Sequence, residues 1–100
     1  MSHELIVEPE AEADIIDGYV WYEKRQRDLG SMFIEEVDAS FNRIAANPEL
    51  YQEVEDGIRR SVTHSFPWLV FYTFDEKAVH ILAVIFAAQD PTYITSRLRT

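Results

Sequence analysis

The arginines and tyrosines in the second half of the chain are the side chains best suited to recognise a partner. Arg59 and Arg60 are adjacent in a segment, residues 58–64, whose alternation of apolar and polar residues predicts a β-strand. Alternation places Arg60 on the same face as Ile58 and Val62. Because an unpaired buried charge is costly, we expect Arg60 either to pair with a carboxylate of a helix or to line a functional concavity.

Further candidates lie towards the C-terminus. Tyr72 follows the apolar run at residues 68–71 and is placed to reach the region of Arg60. Tyr93 and Arg97, together with Arg99, form a small basic and aromatic cluster in the tail. Two arginines are too few for a nucleic-acid site that stands alone, so this cluster is not predicted to bind nucleic acid by itself.

The sequence lacks the usual signatures of a metal centre or a nucleophilic enzyme. It contains no cysteine, and its three histidines have no second ligand at the spacing that a metal site requires. No serine lies in a nucleophile elbow, and the isolated glycines make no phosphate-binding loop. Glu10, Asp14 and Asp17 are typical of the solvated face of an amphipathic helix rather than of a catalytic pair. We therefore expect no cofactor and no metal.

The charge of the chain is strongly uneven. Its 100 residues carry a formal net charge of −9, from 18 acidic and 9 basic side chains. The first 38 residues contain 11 of the acidic and 3 of the basic side chains, so the rest of the chain is almost neutral. A chain this acidic is repelled by phosphate backbones at long range. The apolar runs are too short to cross a bilayer and the N-terminus has no signal-peptide pattern, which favours a cytoplasmic protein without membrane contact.

The order of the hydrophobic patterns predicts one α+β domain over residues 1–100. A short strand at residues 5–7 precedes a helix from residue 10 to about residue 27, in which apolar residues recur every three or four positions. A second helix ends before Asn47 and Pro48. Apolar runs then predict strands at residues 58–64, 68–74 and 78–87, and the polar tail is expected to add one helical turn. The interpretation is a β-α-α-β-β-β fold, with an N-terminal strand and a helical hairpin packed on a small, largely antiparallel sheet.

Two details of the hairpin follow from its residue types. Gly30 is expected to end the first helix in the left-handed conformation, and Ser31 to cap the second. The first helix carries two apolar stripes, one of Ala13, Ile16 and Val20 and the other of Ile15, Tyr19 and Tyr22. The apolar stripe of each of the two helices needs another element to pack against.

Short motifs occur in a fixed order along nearly the whole chain. They are Ala13-Asp14, Trp21-Tyr22, Leu29-Gly30, Phe33, Ile44, Asn47-Pro48, Tyr51, Arg59-Arg60, Phe66-Pro67-Trp68, Val70, Tyr72, Ile81-Leu82-Ala83-Val84, Asp90-Pro91 and Arg97. Each is common by itself, but their order and spacing resemble the ParE/RelE superfamily of toxins from bacterial type II toxin–antitoxin modules, and its ParE-like branch most.

The resemblance implies a growth-inhibiting toxin that a small antitoxin neutralises. In such complexes the C-terminal segment of the antitoxin wraps the toxin, and its other half binds the DNA of the operon. Two activities occur in the superfamily. RelE-like members cut messenger RNA on the ribosome without a metal, whereas ParE-like members poison DNA gyrase and are not themselves enzymes.

One stretch departs from the superfamily pattern. Before Asp90-Pro91 many relatives carry a histidine and an arginine, where this chain has Phe86 and Gln89. A metal-free ribonuclease must stabilise developing charge on phosphorus and protonate a leaving oxygen, and an arginine is the most direct stabiliser. We therefore expect a ParE-like toxin of the plasmid-stabilisation type that acts by protein–protein contact on gyrase. The expected contact residues are Arg59, Arg60, Tyr72, Gln89, Tyr93 and Arg97.

Two alternatives stay open. The first is a metal-independent mRNA endonuclease of the RelE type, with Arg60 and Tyr93 as catalytic residues. The second is a decayed toxin that only binds its antitoxin, in which case Phe86 and Gln89 record the lost activity. A cognate antitoxin is the expected partner throughout, and in the gyrase interpretation nucleic acid is contacted only through that antitoxin.

Overall fold

A five-stranded mixed sheet with two helices on one face forms the framework of the protein. The computed structural model describes residues 2–99. The elements are β1 (Glu4–Val7), α1 (Pro9–Arg25), α2 (Leu29–Ala46), β2 (Glu53–Glu55), β3 (Ile58–Val62), β4 (Trp68–Phe74), β5 (Ala78–Phe86) and α3 (Pro91–Leu98). The strands lie in the order β1-β5-β4-β3-β2, with β1 parallel to β5 and the other neighbours antiparallel. The predicted α+β fold, with a helical hairpin on a largely antiparallel sheet, is confirmed.

Two elements differ from the sequence expectation. β2 is an extra strand of three residues, too short and too charged to show alternation. It pairs with β3 through a turn at Gly57, whose φ of 73° suits a residue without a side chain. α3 has eight residues rather than one turn. Pro91 begins it, and the Asp90 carboxylate caps it by accepting a hydrogen bond from the Thr92 amide at 2.8 Å.

The turn between α1 and α2 is built differently from the prediction. Asp28, not Gly30, takes the left-handed conformation, with φ of 69°, and Ser31 lies inside α2 instead of capping it. The cap comes from α1, because the Glu23 carboxylate accepts hydrogen bonds from the amides of Asp28 and Gly30, each at 3.0 Å. A Cβ on Gly30 would lie 2.8 Å from the backbone oxygen of Tyr19, so glycine here permits the close approach of the two helices.

The larger hydrophobic cluster lies between the helical hairpin and the sheet. It joins Phe33, Val37 and Ile44 of α2 to Val70 and Tyr72 of β4. An apolar side chain that is fully buried in this way contributes about 1.5–3 kcal/mol. This cluster fixes the hairpin on one face of the sheet.

The other face of the sheet carries a smaller cluster, and α3 covers it. Phe71 of β4 and Ile85 of β5 pack there with Ile94 and Leu98 of α3. Because neighbouring residues of a strand point to opposite faces, Phe71 lies on the face opposite Tyr72. α1 and α3 are therefore on opposite sides of the sheet, and both contact β5.

Candidate functional site

The residues predicted to contact a partner fall into two groups in the structure. The first group, on the neighbouring strands β3 and β4, is Arg59, Arg60 and Tyr72. The second group, after β5 and on α3, is Gln89, Tyr93 and Arg97. The two groups differ in what their side chains already bind.

Arg59 and Tyr72 serve the fold in this conformation. The Arg59 guanidinium donates to the backbone oxygens of Tyr51 at 2.6 Å and Glu49 at 3.2 Å, which fixes the connection between α2 and β2. Tyr72 is fully buried, and its hydroxyl donates to the backbone oxygen of Pro48 at 2.6 Å. Burial raises the pKa of Tyr72 to about 12. Tyr72 therefore has no exposed surface to offer a partner.

Arg60 is exposed on the sheet face opposite the hairpin. It shares that face with Ile58 and Val62, as alternation predicts, and with the cluster that α3 covers. Within residues 2–99 its side chain forms no ion pair, so the first of the two alternatives, pairing with a helix carboxylate, is wrong. The burial that made such pairing necessary is absent, because Arg60 is in solvent.

Arg97 is bound by a carboxylate from the first helix. Its Nη1 and Nη2 donate to Oδ1 and Oδ2 of Asp14 at 2.9 and 2.7 Å. The Arg97 and Asp14 side chains are only 18% and 15% exposed. The hydrogen bond with Asp14 raises the pKa of the Arg97 guanidinium above its ordinary value, and Nη1 also donates to the Tyr93 hydroxyl at 2.8 Å. The prediction that Asp14 belongs to a solvated helix face is wrong.

The Asp14–Arg97 pair, which we name the clasp, closes an open edge of the sheet. β1 covers β5 only from Ala78 to Ile81, and beyond that point this edge of β5 has no neighbouring strand among residues 2–99. Oδ2 of Asp14 accepts the Val84 amide at 3.0 Å and so takes the place of a strand acceptor. Because α1 and α3 lie on opposite faces, the clasp joins them around the edge and blocks further strand pairing there.

Beside the clasp lies a depression of about 330 Å³ between α1 and the end of β5, which we name the aromatic groove. Its lining residues are Asp17, Gly18, Trp21, Tyr22, Trp68, Phe86 and Gln89. The indole nitrogen of Trp68 donates to the Tyr22 hydroxyl at 2.9 Å, and its ring lies 5.7 Å from that of Phe86. A Cβ on Gly18 would lie 2.8 Å from the Phe33 ring and 3.2 Å from the Trp68 ring. Glycine at this position therefore allows both rings to pack against α1.

α1 leaves one of its two apolar stripes uncovered. Ile15 and Tyr22 of one stripe pack into the core. In the other stripe Ile16 is 55% exposed and Val20 is 41% exposed. Trp21, at the rim of the aromatic groove, is 49% exposed. Among the described residues this second stripe is therefore left uncovered, which gives α1 an exposed apolar surface.

Asp17 lies in the aromatic groove, and no residue within the described part of the chain forms an ion pair with it. It also lines the adjoining depression that Tyr93 and Arg97 border. Its carboxylate forms neither an ion pair nor a hydrogen bond with any other residue that the structure describes. The groove thus combines aromatic walls with one uncompensated negative charge.

Sequence reasoning identified Gln89 and noted Phe86 but missed the rest of the groove. Trp21 and Trp68 entered the resemblance as motif positions and not as site residues. A usable signal was present, because Trp21 falls on the side of the first helix that also carries Asp17. A large aromatic residue beside a charge on the polar side of an amphipathic helix indicates a contact surface.

Two further properties concern the described residues alone. None of the helices within residues 2–99 is long and apolar enough to span a membrane. In the same part of the chain, no three acidic, histidine or cysteine side chains are grouped in a way that could bind a metal ion. His80 lies 3.3 Å from a carboxylate oxygen of Glu8 at the end of β1.

A helical hairpin across a largely antiparallel sheet is the architecture that the sequence resemblance implies, that of the small toxins of toxin–antitoxin modules. The family described as the ParE toxin of the type II toxin–antitoxin system, parDE, matches residues 5–91. The chain therefore belongs to the ParE toxin family. The family match ends at the first residue of α3, so Tyr93 and Arg97 lie beyond it.

A solved structure has the same fold. It is described as the chromosomal ParDE TA system from P. aeruginosa, and it superposes with a TM-score of 0.75 at 17% sequence identity. The similarity covers 85% of this chain and 96% of that one. No curated protein matches the sequence.

Proposed function

We propose that this ParE-family chain is a growth-inhibiting toxin that acts in the cytoplasm by protein–protein contact with DNA gyrase. A cognate antitoxin neutralises it by covering part of its surface. Membership of the ParE toxin family supports the role as a toxin. The exposed aromatic groove and the uncovered stripe of α1 support contact with proteins.

The state of Arg97, which donates to the candidate catalytic residue Tyr93, is the observation that disfavours RNA cleavage around α3, although Arg60, the other candidate, stays exposed. A metal-free nuclease needs a cation that is available to the phosphate in the transition state. Both terminal nitrogens of Arg97 donate to Asp14, and one also donates to Tyr93. A phosphate would have to displace Asp14 from this bidentate pair while lying close to its negative charge. Repulsion of that kind opposes cleavage of RNA at this place.

The exposure of their side chains divides the predicted contact residues into those that contact the target and those that stabilise the fold. Gln89 and Arg60 are exposed, and Tyr93 is 41% exposed. We assign these three to the contact with the target. Arg97 positions α3 through the clasp, while the remaining predicted residues of β3 and β4 stabilise the fold.

The experiment combines growth, supercoiling and message integrity. Induced expression of the chain alone should arrest growth, and co-expression of the antitoxin should restore it. The purified protein should inhibit plasmid supercoiling by gyrase or leave cleaved DNA, while ribosome-bound message stays intact. Tyr93→Ala should weaken the inhibition of gyrase about tenfold, or 1.4 kcal/mol, as for an aromatic contact residue.

The control removes another exposed large side chain, far from α3 in the sequence. Met32 is 53% exposed on α2, and Met32→Ala should leave gyrase inhibition unchanged. Cleavage of ribosome-bound message with unaltered gyrase activity would establish the endonuclease hypothesis instead. Normal growth without the antitoxin would establish the decayed toxin.

A further inference from the structure

The aromatic groove carries a negative charge at Asp17, which forms no ion pair with any residue that the structure describes. We propose that it binds a peptide segment of a partner protein in which an arginine lies beside an apolar anchor residue, with the arginine paired to Asp17. This inference rests on the function proposed above, because it takes the antitoxin to be the partner protein. It adds the place of binding on the toxin and the chemistry of the bound segment.

The shape and composition of the groove suit an apolar anchor. Its volume of about 330 Å³ accommodates one or two side chains of a peptide. Trp21 is 49% exposed and Phe86 37% exposed, and the uncovered residues Ile16 and Val20 continue the apolar surface along α1. A segment lying here would therefore remove a continuous apolar area from water.

Asp17 determines the charge of that segment. Any partner that covers the apolar rim also takes water away from the Asp17 carboxylate. A carboxylate that loses water without gaining a partner costs free energy. Neighbouring Arg97 already donates to Asp14 and Tyr93. Arg25 lies on the Trp21 ring and forms no ion pair with Asp17, so we expect the cation to come from the bound segment. The acidic first half of α1 attracts the same kind of segment from a distance.

The aromatic walls favour arginine over lysine. A planar guanidinium can lie flat on an aromatic ring while it donates two hydrogen bonds to a carboxylate, which an ammonium cannot do. The protein already shows this kind of packing at the rim, where the guanidinium carbon of Arg25 lies 3.8 Å from the Trp21 ring centre. We therefore expect the preference order arginine, lysine, glutamine, glutamate at the paired position.

Intrinsic fluorescence offers a direct measurement, because both tryptophans of the chain, Trp21 and Trp68, line the groove. The probes are four short synthetic peptides that share the same sequence, with leucine as the apolar anchor. They differ only at the neighbouring position, which is arginine, lysine, glutamine or glutamate. The arginine peptide should shift the emission to shorter wavelength and saturate. Asp17→Asn should weaken that binding about tenfold, the effect of losing one charge-assisted pair.

The control is Glu12→Gln, which removes the same charge from an exposed position of α1 outside the groove. It should leave the dissociation constant within about twofold, as expected for an exposed charge away from the contact. Equal weakening by Glu12→Gln and Asp17→Asn, equal binding of the arginine and glutamate peptides, or binding of no peptide would each overturn the proposal.

The proposed function is tested separately by growth arrest in the absence of any peptide or antitoxin. Arrest together with absent arginine preference defeats this inference and leaves the toxin assignment intact. Peptide binding that depends on Asp17, without growth arrest, supports the groove assignment and defeats the proposed toxicity.

Discussion

Asp14 and Asp17 are one helical turn apart on α1, and their surroundings are opposite. The Asp14 carboxylate accepts two hydrogen bonds from Arg97 and one from the Val84 amide. The Asp17 carboxylate accepts none from the residues that the structure describes, although both aspartates line the depression that adjoins the aromatic groove. Because a charge that is shielded from water needs partners and a solvated one does not, the first residue completes the fold and the second is available to another molecule.

The difference also distinguishes an acidic residue that stabilises the fold from one that the proposed peptide contact would use. The clasp uses the acidic residue that faces the edge of β5, where an amide and a guanidinium both need an acceptor. The groove retains an acidic residue where nothing in the described chain needs one. A test of either role is therefore a substitution that removes the charge and keeps the size of the side chain.

The largest expected effect comes from breaking the clasp. Asp14→Asn leaves the mostly buried guanidinium of Arg97 without its counter-charge, and we expect a loss of about 2–3 kcal/mol in the free energy of unfolding. The figure lies below the range of about 3–5 kcal/mol for fully buried pairs, because both side chains keep some contact with water. Urea denaturation measures it.

A double-mutant cycle separates the pair from its surroundings. The combined variant Asp14→Asn with Arg97→Gln should be less destabilised than the sum of the two single variants. Strictly additive losses would mean that the clasp contributes nothing as a pair. An equal loss on Asp17→Asn would remove the contrast between the two aspartates.

Tyr72 extends the comparison to the β3–β4 side of the sheet, where another buried polar group has its partner. Its pKa in the folded state is about 12, against an ordinary value of 10.0. As the pH rises the unfolded state loses this proton first, so stability that is complete below about pH 10 falls progressively towards pH 12. Tyr72→Phe should abolish this alkaline decrease.

The same substitution has a cost at neutral pH. The Pro48 carbonyl loses the hydroxyl that donates to it, and an unsatisfied buried acceptor costs about 1–2 kcal/mol. Urea denaturation near neutral pH and at about pH 11 measures both effects. An alkaline decrease of the same size in the variant would assign the titration to another group.

The fold was predictable from the sequence because each helix and central strand buries one apolar face. A buried face makes apolar residues recur at a regular spacing along the chain. Phe33, Val37 and Ile44 recur at helical spacing and all lie in the core of the structure. β2 escaped prediction because a strand of three residues has too few positions to alternate. Gly30 was assigned the left-handed turn on residue type alone, whereas a close contact with Tyr19 explains the glycine.

The site was less predictable because its contacts are remote in the chain. Asp14 and Arg97 are separated by 83 positions, and no local pattern distinguishes Asp14 from Asp17. Tyr72 follows an apolar run, which is compatible with a contact residue and with a core residue. Its donor role became visible only with the position of Pro48, 24 residues away.

The smallest expected effect is the one that decides the comparison. Asp17→Asn removes a solvated carboxylate that contributes no bond to the fold, so the free energy of unfolding should change by less than about 0.5 kcal/mol. At low salt the sign should be slightly stabilising, since the chain carries a net charge of −9 and loses one repulsive charge. Glu12→Gln should behave in the same way, and added salt should suppress both changes.

A loss above about 1 kcal/mol for Asp17→Asn alone would make Asp17 a structural residue like Asp14. If stability is unchanged, folding gives no reason for a charged residue in an aromatic groove, and the reason has to be sought in what the groove binds.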